Sequence, residues 1–121
     1  MAFEVSLQTV SVPASADLST KQFLFGTINA SGQVAVVGAG LASDGVIALG
    51  PAAQGRPCGL ASFPGQIARV MAGASFANGA LLEADANGKA ITQSSGKILA
   101  KALAAAGAAG DIVPVLLILQ R

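Results

Sequence analysis

Short stretches of alternating polar and apolar residues recur along the chain. Near the N-terminus, apolar side chains occupy every second position from Phe3 to Leu7, and the alternation resumes at Val10 and Val12 after two polar residues. A period of two places alternate side chains on opposite faces of a β-strand, and the slip in phase indicates a β-bulge. This pattern predicts an N-terminal strand that ends at Pro13.

Two pairs of later strands are predicted to form hairpins, because a turn-forming segment separates two apolar runs. The first turn is residues 29–32 (NASG), and the second is Asn87-Gly88. Residues 50–59 (GPAAQGRPCG) are rich in Gly and Pro and are predicted to be a long surface loop. The strands predicted around these segments are residues 22–28, 33–37, 46–49, 66–71, 80–85 and 89–92.

The last third of the chain carries conflicting local signals. Residues 97–106 (KILAKALAAA) have high helix propensity, yet they also alternate as a strand does, and ten residues alone make a marginal helix. Residues 112–119 (IVPVLLIL) are apolar on both faces, so a strand there must be covered twice. Part of this apolar surface is therefore predicted to lie in an interface with a subunit or partner. A strand buried wholly within the domain is the alternative.

Taken together, these segments predict a mainly-β fold. Strands separated by turns at intervals of about eight to twelve residues are typical of a β-barrel or a β-sandwich. The 121 residues suffice for a single compact domain with hairpins and an extended N-terminal segment. Residues 1–20 are predicted to form the N-terminal strand and arm, and residues 21–121 the barrel or sandwich core.

Composition narrows the chemistry that the chain can support. There is no His, Tyr or Trp and only one Cys, so the commonest acid-base residue, zinc clusters and disulfide frameworks are missing. A net charge of +1, without runs of like charge, argues against nucleic acid as a partner. We predict that the chain is not an enzyme and that it binds no cofactor and no metal.

The sequence also argues against a membrane protein. The apolar tract of residues 98–119 is interrupted by Lys101, Asp111 and Pro114, which are costly or disruptive in lipid. The first ten residues carry an acidic residue and alternate, unlike a signal peptide. We expect a protein made in a reducing cytoplasm, in which Cys58 is a small packing residue.

Short motifs that resemble functional sites lack the partners that they need. Gly38 and Gly40 follow an apolar run as in a dinucleotide-binding motif, but Ser43 stands where the third glycine belongs. Glu83 and Asp85 lie two positions apart, as in a pair of carboxylates on one strand face. Surface solvation is the commoner role of such a pair, and we interpret both residues in that way.

Three segments, in this order and spacing, resemble a known family: residues 16–34 (ADLSTKQFLFGTINASGQV), 55–91 (GRPCGLASFPGQIARVMAGASFANGALLEADANGKAI) and 96–118 (GKILAKALAAAGAAGDIVPVLLI). They look like the small capsid cement, or decoration, proteins of tailed bacteriophages. The resemblance implies a mainly-β domain on the outer surface of an icosahedral head, commonly an oligomer near local threefold positions. It brings no catalytic residue, and it favours a strand over a helix for residues 97–106.

The resemblance therefore predicts a structural phage protein that stabilises the capsid lattice. The expected partners are the phage major capsid protein and further copies of the chain, with a trimer favoured and a dimer as the alternative. The expected location is the outer surface of the virion capsid, after synthesis in the cytoplasm of the bacterial host. A small β-barrel that binds a ligand or peptide is the alternative function, and it predicts a monomer with an apolar pocket.

The residues that contact the capsid or a subunit are predicted mainly in the N-terminal arm. An extended segment that contains proline can add along the edge of a neighbouring strand, so this arm is expected to face the capsid. Arg69 lies between apolar residues on one strand face, as either a snorkelling edge residue or a member of an interface ion pair. The predicted contact residues are Phe3, Val5, Leu7, Val10, Val12, Leu18 and Arg69.

Overall fold

The computed structural model describes residues 9–121, and its described residues form ten strands and no helix. The mainly-β prediction is confirmed. Within this part of the chain, nothing helical is long and apolar enough to cross a membrane. The strands are β1 (Thr9–Pro13), β2 (Phe25–Ile28), β3 (Val34–Val36), β4 (Gly45–Leu49), β5 (Pro57–Ala61), β6 (Ile67–Met71), β7 (Leu81–Ala84), β8 (Ala90–Thr92), β9 (Ala100–Ala102) and β10 (Ile112–Leu117).

The ten strands form two antiparallel sheets of five strands each. The first sheet has the order β1-β5-β4-β2-β3, and the second has the order β6-β10-β9-β7-β8. In each sheet one parallel bridge links the residue after the first strand to the opposite edge, Ala14 to Val34 and Ala72 to Ala90. Within residues 9–121 the two edges of each sheet are joined by this isolated bridge and not by a ladder of paired strands, so no closed barrel is formed and the arrangement fits the sandwich alternative.

The second sheet repeats the first. Adding five to every strand number of the first sheet gives the strand order of the second. The pairing of residues follows the same rule, since the pair Phe25–Val46 in the first sheet corresponds to Leu81–Lys101 in the second. The described chain therefore consists of two structurally equivalent halves, β1–β5 and β6–β10.

The hairpin turns of the two halves are built alike. In the first half, Asn29 Oδ1 accepts hydrogen bonds from the amides two and four positions on, both at 3.0 Å. In the second half, Asp85 Oδ1 accepts the same two bonds at 2.8 and 2.9 Å. Gly32 and Gly88 then take φ angles of 75° and 77°, which glycine adopts without steric cost. Both predicted turns are confirmed.

Two apolar clusters hold the described residues together. The smaller cluster belongs to the first half, and its buried members are Ala14, Leu18, Val34, Ile47, Cys58 and Leu60. The larger cluster is built mainly from the second half, but it also contains Phe25, Val37, Val46 and Ala61 of the first. Full burial of a large apolar side chain contributes about 1.5–3 kcal/mol, so this shared cluster stabilises the contact between the halves.

The structure shows the secondary structure of two segments that the sequence left open or assigned differently. Residues 97–106 contain the strand β9 between turns, as the family resemblance predicted. The prediction of a loop through residue 59 is wrong at its end, because β5 begins at Pro57. Pro57 pairs with Pro13 at the end of the β1–β5 ladder, where the missing amide of each proline does least harm.

Candidate interaction surface

The structure brings only some of the predicted contact residues together. Val10 and Val12 are half-buried on β1 and pack against the smaller cluster, to which the buried Leu18 belongs. Arg69 is exposed on β6, in the other half. The remaining predicted contacts, Phe3, Val5 and Leu7, lie outside the described residues.

Strand β10, apolar on both faces, is covered on one of them. The side chains on its inner face are buried, namely Val113, Val115 and Leu117. On the other face Ile112 is 45% exposed, and Pro114 and Leu116 are half-buried. The sequence predicts that both faces of this strand are covered. The described residues cover one face and leave the other largely uncovered.

This uncovered face extends across the second sheet. Residues directly paired across neighbouring antiparallel strands point to the same side, and one such row runs from β6 through β10 and β9 to β7. Leu81, at the end of the row, is 40% exposed. We call the following residues the outer face of the second sheet: Ile67, Leu81, Lys101, Ile112, Pro114 and Leu116. Arg69 and Met71, paired with Pro114 and Ile112, lie on the same side at the β6 edge, next to the first half.

The corresponding row of the first sheet is buried from β5 to β2. It begins at the exposed Thr9 on β1 and runs through Ala61, Val46 and Phe25, whose exposed fractions are 1%, 2% and 0%. All three belong to the larger cluster, whose other members come mostly from the second half. The same face of the repeated unit is thus covered within the chain in one half and uncovered in the other.

A cavity of about 240 Å³ lies where the two halves meet. It is smaller than the usual range of ligand pockets, about 300–1,000 Å³, and its one charged lining residue is Arg69. The lining residues are Gln22, Phe23, Val46, Ala48, Ala61, Ala68 and Arg69. This geometry gives the alternative of a ligand-binding module no specific support.

Reactive side chains of the described residues serve the fold. Glu83 is only 6% exposed and accepts hydrogen bonds from the Ser94 amide at 3.2 Å and the Ser94 hydroxyl at 3.1 Å. The prediction that Glu83 is solvated is therefore wrong, because the β8–β9 connection folds over it. Cys58 is a free, buried packing residue, and burial raises the pKa of its thiol. Within residues 9–121, no three His, Cys, Asp or Glu side chains are grouped to hold a metal ion.

The described residues thus form a repeated β-fold that exposes a partly apolar outer face. The sequence matches the phage cement protein family over residues 9–117, so the chain belongs to this family of structural, capsid-associated phage proteins. The predicted family is confirmed.

The fold is shared with a solved phage structure. The N base of the head fiber gp8.5 in bacteriophage phi29 is similar with a TM-score of 0.69 at 15% sequence identity, over 96% of this chain and 98% of that chain. At this identity the likeness shows a common fold. None of the curated proteins matches this chain.

Proposed function

We propose that this protein decorates the outside of an assembled phage head and stabilises the lattice of the major capsid protein. It does so as a homo-oligomer, a trimer in preference to a dimer, after synthesis in the cytoplasm of the bacterial host. The observation that carries the proposal is membership of the phage cement family over residues 9–117. The fold shared with a phage head fiber protein supports it.

Such a role requires binding to the capsid lattice and no chemical reaction. A protein that binds the assembled lattice, and not its dissociated or unexpanded forms, shifts the equilibrium toward the lattice by mass action. An oligomer touches several capsid subunits at once, so weak contacts at each copy add to a strong attachment. No catalytic step is required of any residue.

The N-terminal segment from Phe3 to Leu18, within the proposed arm of residues 1–20, is proposed to face the capsid. β1 is the edge strand of the first sheet, and an exposed edge can pair with a strand of another protein. Deleting residues 2–18 would also remove β1 and the buried Leu18 from the fold. A deletion of residues 2–8 keeps both and is the better test of this contact.

The proposed function is tested by sedimenting the purified protein with phage heads stripped of it. We expect saturable co-sedimentation and heads that withstand a higher temperature once the protein is bound. Heads of an unrelated phage are the control for non-specific adhesion. Protein that stays in the supernatant at every concentration, with head stability unchanged, would contradict the proposal.

A further inference from the structure

The two halves of this chain are equivalent in topology but unequal in burial. The contact of the first half with the second covers Phe25 and Val46, and their counterparts Leu81 and Lys101 are exposed. The position of each residue in the second half follows from the pairing register, so the correspondence does not depend on sequence similarity. The way in which this face is covered in the first half therefore shows how the equivalent face of the second half can be covered.

We propose that the outer face of the second sheet binds the first half of another copy of this chain. In this contact, β1 of the second copy lies where β6 lies within one chain. The proposal rests on the homo-oligomer of the proposed function and names the surface that forms it. Other occupants of this face, such as the capsid itself, are outcomes of the experiment below.

The two backbone groups that bond the halves to each other within the chain have counterparts, one in each half, that can bond two copies. Within the chain, the Phe25 amide donates to the Gly88 carbonyl at 2.9 Å, which seats the β7–β8 turn against the first sheet. The counterpart of Phe25 is Leu81, and the counterpart of Gly88 is Gly32, in a turn of the same construction. The contact between copies therefore places the Leu81 amide against the Gly32 carbonyl of the second copy.

The segment just before β2 and the equivalent segment just before β7 have the same backbone conformation. Phe23 and Gly79 occupy equivalent positions with φ angles of 71° and 84°. Their amides donate to the carbonyls of Ile47 and Ala102, at 2.8 and 2.9 Å. The second half thus presents the same backbone shape to an incoming strand as the first half presents to β6.

Two side-chain differences make the contact between copies weaker than the one within the chain. Lys101 replaces the buried Val46, so its aliphatic stem covers the apolar face while its ammonium group remains at the rim. Pro13 replaces Met71, whose amide donates to the Phe23 carbonyl at 2.9 Å, so this hydrogen bond is lost. A reversible association is the expected result.

The geometry makes the contact heterologous, because two different surfaces meet. A contact of this kind builds a closed ring when its rotation closes and an open filament when it does not. A ring agrees with the trimer of the proposed function. A twofold dimer, in which the same surface meets itself, does not use this contact.

The assembly test compares substitutions on and off the outer face. Leu81→Glu places a charge in the contact, and Ala53→Glu adds the same charge at an exposed residue of the β4–β5 connection, outside both sheets. Sedimentation equilibrium is expected to show a dissociation constant raised about tenfold or more by Leu81→Glu. The Ala53→Glu protein is expected to assemble like the unmodified chain.

A charge exchange tests which surfaces meet. Val46 and Arg69 line the same cavity within the chain, so their counterparts Lys101 and Ser11 are expected to line one cavity between copies. Ser11→Lys then weakens assembly by placing two cations together, and adding Lys101→Glu to Ser11→Lys restores it. A mixture of Leu81→Glu and Ser11→Lys chains, each blocked on a different surface, is expected to stop at dimers.

Three results would overturn this contact. One is equal assembly of the Leu81→Glu and unmodified proteins, in solution and on stripped heads. Another is failure of the double substitution to restore what Ser11→Lys removes. The third is loss of capsid co-sedimentation by Leu81→Glu with unchanged self-association, which would assign the outer face to the capsid. Self-association without any binding to heads would instead leave the contact standing and contradict the proposed function.

Discussion

At the residue scale, the start of β4 depends on a buried serine and the glycine that follows two positions later. Ser43 is fully buried, with its hydroxyl 2.7 Å from the Gly26 carbonyl and 2.8 Å from the Gly45 carbonyl. The same oxygen accepts a bond from the Gly45 amide at 3.1 Å. A Cβ at Gly45 would run into the Ala61 carbonyl, so the chain can approach β5 this closely only with glycine there.

Replacing Ser43 by alanine removes the hydroxyl partner of the Gly45 amide and carbonyl, whereas the Gly26 carbonyl keeps a bond from the Asp44 amide at 2.9 Å. We expect Ser43→Ala to lower the free energy of unfolding by about 1–3 kcal/mol, the usual cost of an unsatisfied buried polar group. Urea unfolding of the variant measures it. Ser31→Ala, an exposed serine, is the matched control and should change the value by less than about 0.5 kcal/mol. Equal effects of the two substitutions would contradict the role assigned to Ser43.

Asp44 links the first half to the end of the chain. Partial burial by itself raises the pKa of Asp44, but three hydrogen bonds outweigh it and lower the pKa below its ordinary value. The donors are the Ile28 amide at 2.7 Å, the Thr27 hydroxyl at 3.1 Å and the Arg121 guanidinium. The ionised carboxylate is therefore favoured in the folded state.

Because folding lowers the pKa of Asp44, the free energy of unfolding decreases as the pH falls. A carboxyl with a lowered folded pKa contributes stability above its unfolded pKa of about 3.9, and this contribution is lost as the pH falls through the folded value. We expect Asp44→Asn to be less stable than the unmodified protein at pH 6, with a difference that shrinks below about pH 4. Thermal unfolding across this range checks the prediction, and a difference independent of pH would disprove it.

At the scale of elements, the two hairpin turns are held by side-chain acceptors. Each depends on one side-chain oxygen that accepts two amide bonds, from Asn29 in one half and Asp85 in the other. We expect Asn29→Ala and Asp85→Ala each to lower the free energy of unfolding by about 1–2 kcal/mol. The exchanges Asn29→Asp and Asp85→Asn keep the accepting oxygen and should cost less than about 0.5 kcal/mol. Urea unfolding separates these outcomes, and equal losses would show that the acceptor is not what matters.

Helix propensity did not determine the conformation of residues 97–106, because pairing between strands outweighed it. Residues 97–106 are rich in helix-forming alanine, leucine and lysine, yet Ala100 and Ala102 are buried in a strand held between β7 and β10. Small side chains fit this crowded position, and Lys101 between them points to the uncovered face. The preference for a helix is worth only tenths of a kcal/mol per residue, less than the apolar contacts that the strand makes.

At the scale of the whole molecule, the two equivalent halves allow one position to be compared in two environments. Phe25 is fully buried in the cluster that joins the halves, and its counterpart Leu81 is 40% exposed. We expect Phe25→Ala to lower the free energy of unfolding by about 3–5 kcal/mol, and Leu81→Ala to lower that of the dissociated chain by less than about 1 kcal/mol. Urea unfolding at concentrations below association measures both, with Phe25→Leu as a milder variant if Phe25→Ala does not fold. Equal costs would mean that burial does not distinguish the halves.

The repeat itself was not predicted from the sequence. Its two halves share turn positions and pairing register, but few of the paired side chains are the same, as Val46 and Lys101 illustrate. Fold similarity without side-chain similarity leaves no periodic signal in the residues. The sequence predicted an interface on residues 112–119, but it did not show the extent of the outer face, because Leu81 and Lys101 join Leu116 only when the register places them in one row.

The sequence by itself determined the local features of this protein: the short strands, the turns at Asn29 and Asn87, and the scarcity of reactive side chains. These follow from interactions between residues close in the chain, which alternation and turn chemistry record directly. Only the tertiary structure decided that the five-stranded unit occurs twice, and that one face is covered in the first half and open in the second. Coverage depends on contacts between distant segments, and two residues of equal hydrophobicity can have opposite burial when only one of them meets the other half.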